Sequence, residues 1–233
     1  MKIVMLNGQN HKGSSYHVGR FLIDGINGEN EVEEIFLPNS LNHFCTGCYS
    51  CIEDETKCPF FSEVREIMQK IEQADLLVFT TPNYCMAPSA AMKSFIDFTF
   101  TYWMSHRPRE CMFSKKAVVI STTAGMGARL AIKTVKRALT YWGIPYIKSY
   151  GISVQAMNWD GVVAKRKSKI EKNMEALAKK ILRHGTPSVP LKTKLMFNMF
   201  SFMQKSGMGS GPAEKAYWEK QGWLGGERPW KKS

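Results

Sequence analysis

The chain has 233 residues, 44% hydrophobic and 22% charged, which suits a globular domain with an appendage and excludes a disordered chain. No apolar run is long enough to span a bilayer, and the run after Met1-Lys2 is too short for the core of a signal peptide, so the expected location is the cytoplasm. The net charge of +12 is uneven: residues 1–159 carry 16 basic and 14 acidic side chains, whereas residues 160–233 carry 16 and 6, so a basic surface is expected in the C-terminal third.

Lys2-Ile-Val-Met-Leu6 is a continuous apolar run ending at Asn7-Gly8, the pattern of a strand buried on both faces. After the polar stretch Gln9 to Tyr16, Val18, Phe21, Leu22 and Ile26 recur at helical spacing. Glu31 to Leu37 alternates weakly and reads as a second strand, ended by Pro38. Residues 39–59 form a long loop. Val64, Ile67, Met68 and Ile71 make a helical stripe within Glu63 to Ala74. Asp75 to Thr80 reads as a third buried strand stopped by Pro82, with a helix over Ala90 to Phe100. Lys116 to Ser121 gives a fourth strand, and Ala128, Ala131, Ile132, Val135, Ala138, Leu139 and Trp142 mark the next helix face. Pro145 to Val154 gives a fifth strand, and Ile170, Met174, Leu177, Ala178, Ile181 and Leu182 a last helix. Strands alternating with helices predict a doubly wound α/β sheet of five parallel strands. Ligands of such sheets bind beyond the carboxyl ends of the strands.

Two units are expected: residues 1–185 as the α/β domain and 186–233 as a basic, tryptophan-containing C-terminal helical extension. Thr186 to Pro190 reads as a linker. Leu191 to Lys205 is basic and amphipathic, with Leu195, Met196, Met199, Phe200 and Met203 assigned to one side. That side is expected to pack on the domain or on a second subunit, the alternatives being a membrane surface or a nucleic acid. Gly207 to Pro212 reads as a break, followed by Tyr217, Trp218, Trp223 and Trp230.

Three loops follow strands one, three and four and should share one edge. The first, Gly8 to Tyr16, lies between a strand and a helix start. Its small residues let backbone N–H groups approach an anion, Ser14 and Ser15 add hydroxyls, and His11 and Lys12 add charge; plain helix capping is the alternative. It has neither the Gly-Lys-Ser/Thr ending of a P-loop nor a G-x-G-x-x-G fingerprint. The second loop, Thr80 to Ser89, is stiffened by Pro82 and Pro88 and offers the flat face of Tyr84. The third, Thr122 to Gly127, leaves room for a ring against its backbone. Four cysteines, Cys45, Cys48, Cys51 and Cys58, fall in the long loop. Three at two-residue intervals with a fourth downstream can wrap a cubane cluster; free or oxidisable thiols are the alternative. Cys111 reads as an inert small residue.

Leu6-Asn-Gly8 with its polar turn, the Cys45–Cys58 cluster, Ala74-Asp75, Pro82-Asn-Tyr84 and Ala91-Met-Lys-Ser-Phe-Ile-Asp97 together resemble the flavodoxin-like NAD(P)H-dependent FMN reductases, and within them the iron–sulfur flavoproteins. The resemblance covers residues 1–183 and implies a flavodoxin-like strand order 2-1-3-4-5. It implies that the first loop binds the FMN phosphate through Gln9, His11, Ser15 and Tyr16, to which the loop's own chemistry adds Ser14 and, as a substitute for the missing arginine, Lys12 or His11. Pro82, Asn83, Tyr84, Cys85 and Met86, with Thr123, Ala124, Gly125, Met126 and Gly127, would hold the isoalloxazine. Cys45, Cys48, Cys51 and Cys58 would ligate a 4Fe–4S cluster. The implied activity is electron transfer from NAD(P)H through FMN to a quinone, flavin or other small acceptor. The rivals are an electron carrier between redox proteins and a flavoprotein docked on a membrane or nucleic acid through its basic tail. A homodimer or homotetramer is implied. The family's Ser-Pro-Arg is replaced by Gln9-Asn10-His11, so its arginine is missing, and Cys85 stands where an aromatic is frequent.

Overall fold

The computed structural model describes residues 1–209 and 211–231. In chain order it comprises β1 (Lys2–Asn7), α1 (Ser14–Asp24), β2 (Glu31–Phe36), the helical turn α2 (Leu37–Ser40) and the short α3 (Ser50–Glu53). Then follow α4 (Phe61–Gln73), β3 (Leu76–Tyr84), the two-residue β4 (Ala87–Pro88), α5 (Ala90–Phe98), β5 (Lys116–Thr123) and α6 (Ala128–Tyr141). The chain continues through β6 (Tyr146–Ser153), α7 (Ala164–Arg183), α8 (Leu191–Lys205) and α9 (Pro212–Lys220).

The long strands pair in parallel in the order β2-β1-β3-β5-β6, which is the expected 2-1-3-4-5 counted over long strands alone. Side chains alternate across a strand, and each central strand feeds two cores. Val4, Leu6, Leu77, Phe79, Ala117 and Val119 face α4, α5 and α6, packing with Ile67, Phe95 and Val135. Ile3, Met5, Leu76, Val78, Val118 and Ile120 face α1 and α7, packing with Leu22, Ile170 and Met174. Helices on both faces bury the sheet, which is why its strands read as unbroken apolar runs. This flavodoxin-like α/β fold sets the carboxyl ends of β1, β3 and β5 along one rim.

Two local readings are corrected. Pro82 does not stop the third strand: it pairs with Thr122 of β5, and β3 runs on to Tyr84. Asn83 and Tyr84 then pair with Pro88 and Ala87 of β4 in a tight antiparallel hairpin. Its two central residues, Cys85 and Met86, have φ of 48° and 62°, so both occupy the left-handed region that a two-residue primed turn requires.

The second correction concerns the extension. The buried positions of α8 are Thr193, Phe197, Ser201 and Gln204, while Leu195 and Met199 point outward and Met196 and Phe200 are only partly buried. Phe197 packs with Trp218, Trp223, Val189, Met104 and Phe113 in a third core, and its burial alone stabilises by roughly 2–3 kcal/mol. Hydrogen bonding makes the polar positions compatible with burial: Ser201 Oγ donates to the Trp223 carbonyl at 2.9 Å and Gln204 Nε2 to the Ser105 carbonyl at 3.0 Å. Pro212, read as the end of a break, is instead the opening residue of α9, a position proline favours. Among the described residues no helix is long and apolar enough to cross a membrane.

Candidate functional site

The three loops are tied to one another as well as aligned. Gly8 N–H donates to the Thr80 carbonyl at 2.8 Å, and Ser89 Oγ donates to the Gly8 carbonyl at 2.5 Å. A Cβ on Gly8 would lie 2.5 Å from that Ser89 oxygen, so only glycine allows this approach. Ser15 Oγ and Thr122 Oγ1 share a hydrogen bond of 2.7 Å beneath the first and third loops. Asn83 Nδ2 donates to the Met126 carbonyl at 3.0 Å across the second and third. Gly127 completes the junction: its φ is 99°, and a Cβ there would meet Met86 Sδ at 2.5 Å and Asn83 Nδ2 at 2.7 Å.

In the first loop Asn10, His11 and Lys12 are exposed, while Gln9 is buried and folds over Gly13, its Nε2 donating to the His11 carbonyl at 3.3 Å. Ser14 opens α1, whose N-terminus has no side-chain cap and no acidic residue in its first turn. Ser15 and Tyr16 are turned away from this opening. Ser15 is occupied by Thr122, and the Tyr16 hydroxyl donates to Glu34 at 3.1 Å. Lys12 Nζ stands 5.2 Å from the Tyr16 ring. The next side chain, His17, stacks on Trp159, and burial holds its pKa below the ordinary value.

Above the strand ends, Tyr84, Cys85 and Met86 are exposed on the hairpin, and Ala124, Gly125 and Met126 on the third loop. Pro82 is buried and Thr123 half-buried, with Thr123 Oγ1 donating to the Met126 carbonyl at 2.9 Å. Ser153, which sequence reasoning missed, donates from Oγ to the Ala124 carbonyl at 2.8 Å. Its signal was the carboxyl end of β6, which reaches the same rim.

These residues fit a phosphorylated planar ring. The uncapped α1 N-terminus presents unpaired amide dipoles to an anion. A Cβ on Gly125 would meet nothing within 4 Å, so the third loop has an open shelf. Asn83 Oδ1 is buried without a hydrogen-bond partner among the described residues, an acceptor held ready for a donor on a ring edge.

The cysteine loop builds a separate cavity of about 330 Å³, lined by Cys45, Cys48, Cys51 and Cys58 and walled by Phe60 and Phe98. Hydrogen bonds from the Ser50 side chain and backbone hold the Cys48 thiol below its ordinary value, whereas burial, with Cys58 and Cys45 close by, pushes Cys51 up. The four cysteines share a wall, as their spacing suggests. Yet among the described residues no three His, Cys, Asp or Glu side chains are gathered closely enough to hold a metal ion. The loop is open here, with Cys45 and Cys48 exposed and Cys51 and Cys58 half-buried, so this arrangement does not fit a cluster. Arg107 and Arg109, also missed from sequence, pin the loop: Arg107 donates to the Cys51 carbonyl, and Arg109 pairs with Glu55 at 2.6 Å. Burial raises the Cys111 thiol pKa, which suits an inert residue.

Residues 1–158 match the family described as NADPH-dependent FMN reductase. An iron-sulfur flavoprotein of Archaeoglobus fulgidus is 30% identical over 115 residues, 49% of this chain and 50% of that protein. One of Methanocaldococcus jannaschii is 31% identical over 99 residues, 42% of this chain and 51% of that protein. The chain thus spans about half the length of these relatives. Among solved structures, an FMN-dependent NADH-azoreductase of Bacillus anthracis in complex with FMN superposes with a TM-score of 0.57 at 14% identity, covering 76% of this chain and 100% of that one. A flavoenzyme NAD(P)H:(acceptor) oxidoreductase of Paracoccus denitrificans gives 0.52 at 20% identity, covering 79% and 98%. At such identities the likeness is one of fold.

Proposed function

The chain belongs to the NADPH-dependent FMN reductase family, and from that premise we propose that it is an FMN-dependent NAD(P)H oxidoreductase that reduces a quinone, a flavin or another small acceptor. The observation that carries the reading is the joined rim, where three loops fastened by Ser15–Thr122, Asn83–Met126 and Ser89–Gly8 surround the uncapped start of α1. FMN, when bound, supplies the hydride and electron chemistry. The protein's part is to bind and orient. The amides at the start of α1 receive the phosphate, and Lys12 or His11 supplies the charge that an arginine provides in the family pattern. Gln9 and Gly13 shape the turn, and Ser15 and Tyr16 brace it from beneath. The hairpin Pro82 to Met86 and the shelf Thr123 to Gly127 hold the ring. Tyr84, Met86 and Met126 leave one side of the rim apolar and open, which suits a flat acceptor. The active form is proposed to be a homodimer or homotetramer working in the cytoplasm, where the six free cysteines stay reduced.

The test is reconstitution with FMN. Stoichiometric yellow protein that oxidises NADPH steadily with a quinone supports the proposal; colourless protein with no affinity for FMN ends it. Lys12→Glu is expected to weaken FMN binding about tenfold, because reversing a charge beside a phosphate removes an attraction and adds a repulsion. Fluorescence titration of FMN measures this. The second reading, an electron carrier between redox proteins, has in its favour the 30% identity to an iron-sulfur flavoprotein over 115 residues. Iron and acid-labile sulfide in anaerobically purified protein, without NADPH turnover, would favour the carrier.

A further inference from the structure

The extension carries a surface that the redox reading does not use. With Phe197 turned inward, the outward face of α8 presents Leu191, Leu195, Met199 and Phe202, between 51% and 72% exposed. Their spacing places all four in one stripe at 3.6 residues per turn. Single exposed apolar residues are ordinary, but a contiguous stripe marks an interaction surface. By the same geometry Lys192 borders the stripe on one side and Lys194 and Lys205 on the other, and Leu191–Lys205 contains no acidic residue. Arg228 adds a cation beside it, its Nε donating to Asn198 Oδ1 at 2.8 Å.

We infer that α8 lies flat on a lipid surface bearing anionic headgroups, with the stripe in the acyl boundary and the flanking lysines at the phosphates. A helix with apolar and cationic groups so arranged gains from both phases, and lysine stems follow apolar surface while their ammonium groups reach outward. Charge selects this occupant. A second copy of the chain would bring Lys192, Lys194 and Lys205 against their own equivalents across a two-fold axis, with no acid on the helix to offset them. A nucleic acid would meet the cations but leave four large apolar side chains in water. The inference does not depend on the cofactor reading, because vesicle binding is read on the protein with or without flavin.

The test is co-sedimentation of the full chain with phosphatidylcholine vesicles containing phosphatidylglycerol, compared with phosphatidylcholine alone. Binding is expected on the anionic vesicles and should weaken with salt. One lysine near such a surface changes partition about fivefold, so Lys192→Glu with Lys205→Glu should lower it at least about thirtyfold. Leu195→Ser with Phe202→Ser should abolish binding at low and high salt, with an unchanged melting temperature as the control for folding. Absence of vesicle binding, equal binding to both vesicle types, or variants that bind like the parent chain would overturn the inference. A dimer-to-monomer shift in the Leu195→Ser, Phe202→Ser variant with vesicle binding retained would also overturn it and assign the stripe to a second copy.

Discussion

Gly127 shows how a single position can fasten two loops. Its positive φ strains any residue with a Cβ, and a built Cβ would lie 2.7 Å from Asn83 Nδ2, the amide that bonds the Met126 carbonyl. Gly127→Ala should destabilise the protein by about 1–3 kcal/mol, read by denaturant unfolding, and should weaken FMN binding through the displaced hairpin. The cysteines differ in kind. Thiolate is the reactive form, and Ser50 favours it at Cys48 while burial disfavours it at Cys51. Alkylation near pH 7 followed by peptide mapping should therefore label Cys48 first. The preference should narrow as pH rises through the ordinary thiol range and Cys51 also deprotonates. Glycine and serine spacing made the first loop legible in the sequence. The inward turn of Ser15 was not, because its partner Thr122 lies 107 positions away and no local pattern encodes that pairing.

Among the elements, the β3–β4 hairpin and α8 depart most from sequence expectation, for opposite reasons. A proline usually ends a strand that needs its N–H, yet Pro82 sits where the parallel ladder with β5 continues. The hairpin then places two non-glycine residues, Cys85 and Met86, at positive φ, a strained choice for side chains with a Cβ. Cys85→Gly should relieve that strain and raise stability by about 1 kcal/mol, seen as a higher melting temperature. In α8 the apolar residues lie on more than one side, so the side named from the sequence is not the one buried. The inward side is chosen by Trp218 and Trp223 closing on Phe197 and by backbone carbonyls that accept Ser201 and Gln204. Hydrophobic counting misses such polar anchors. The α6 and α7 stripes were readable: Ile132, Val135, Ile170 and Met174 are buried as expected, whereas Leu182, read onto the same face of α7, is 38% exposed.

At the scale of the molecule, the alternation of apolar runs and helical stripes was enough to place the parallel sheet and the rim where its strands end, because burial on both faces writes itself into composition. The attachment of the extension was hidden, since Met104 and Phe113, its seat on the domain, look like ordinary loop residues. A chain ending at Gly185 should uncover that seat, bind the dye ANS and melt at a lower temperature than the full chain; an unchanged melt would make residues 186–233 an independent unit. The seat also reaches the cysteine loop. Trp218 Nε1 donates to the His106 carbonyl at 2.5 Å and the Tyr217 hydroxyl to the Pro108 carbonyl at 2.6 Å, on either side of the Arg107 that holds Cys51. These partners are separated by 112 and 109 positions, so on the ribosome, where chains emerge N-terminus first, the thiol segment is made long before its latch. The segment around Cys51 is fastened only when α9 arrives, and Cys45 and Cys48 stay within reach of small reagents even then.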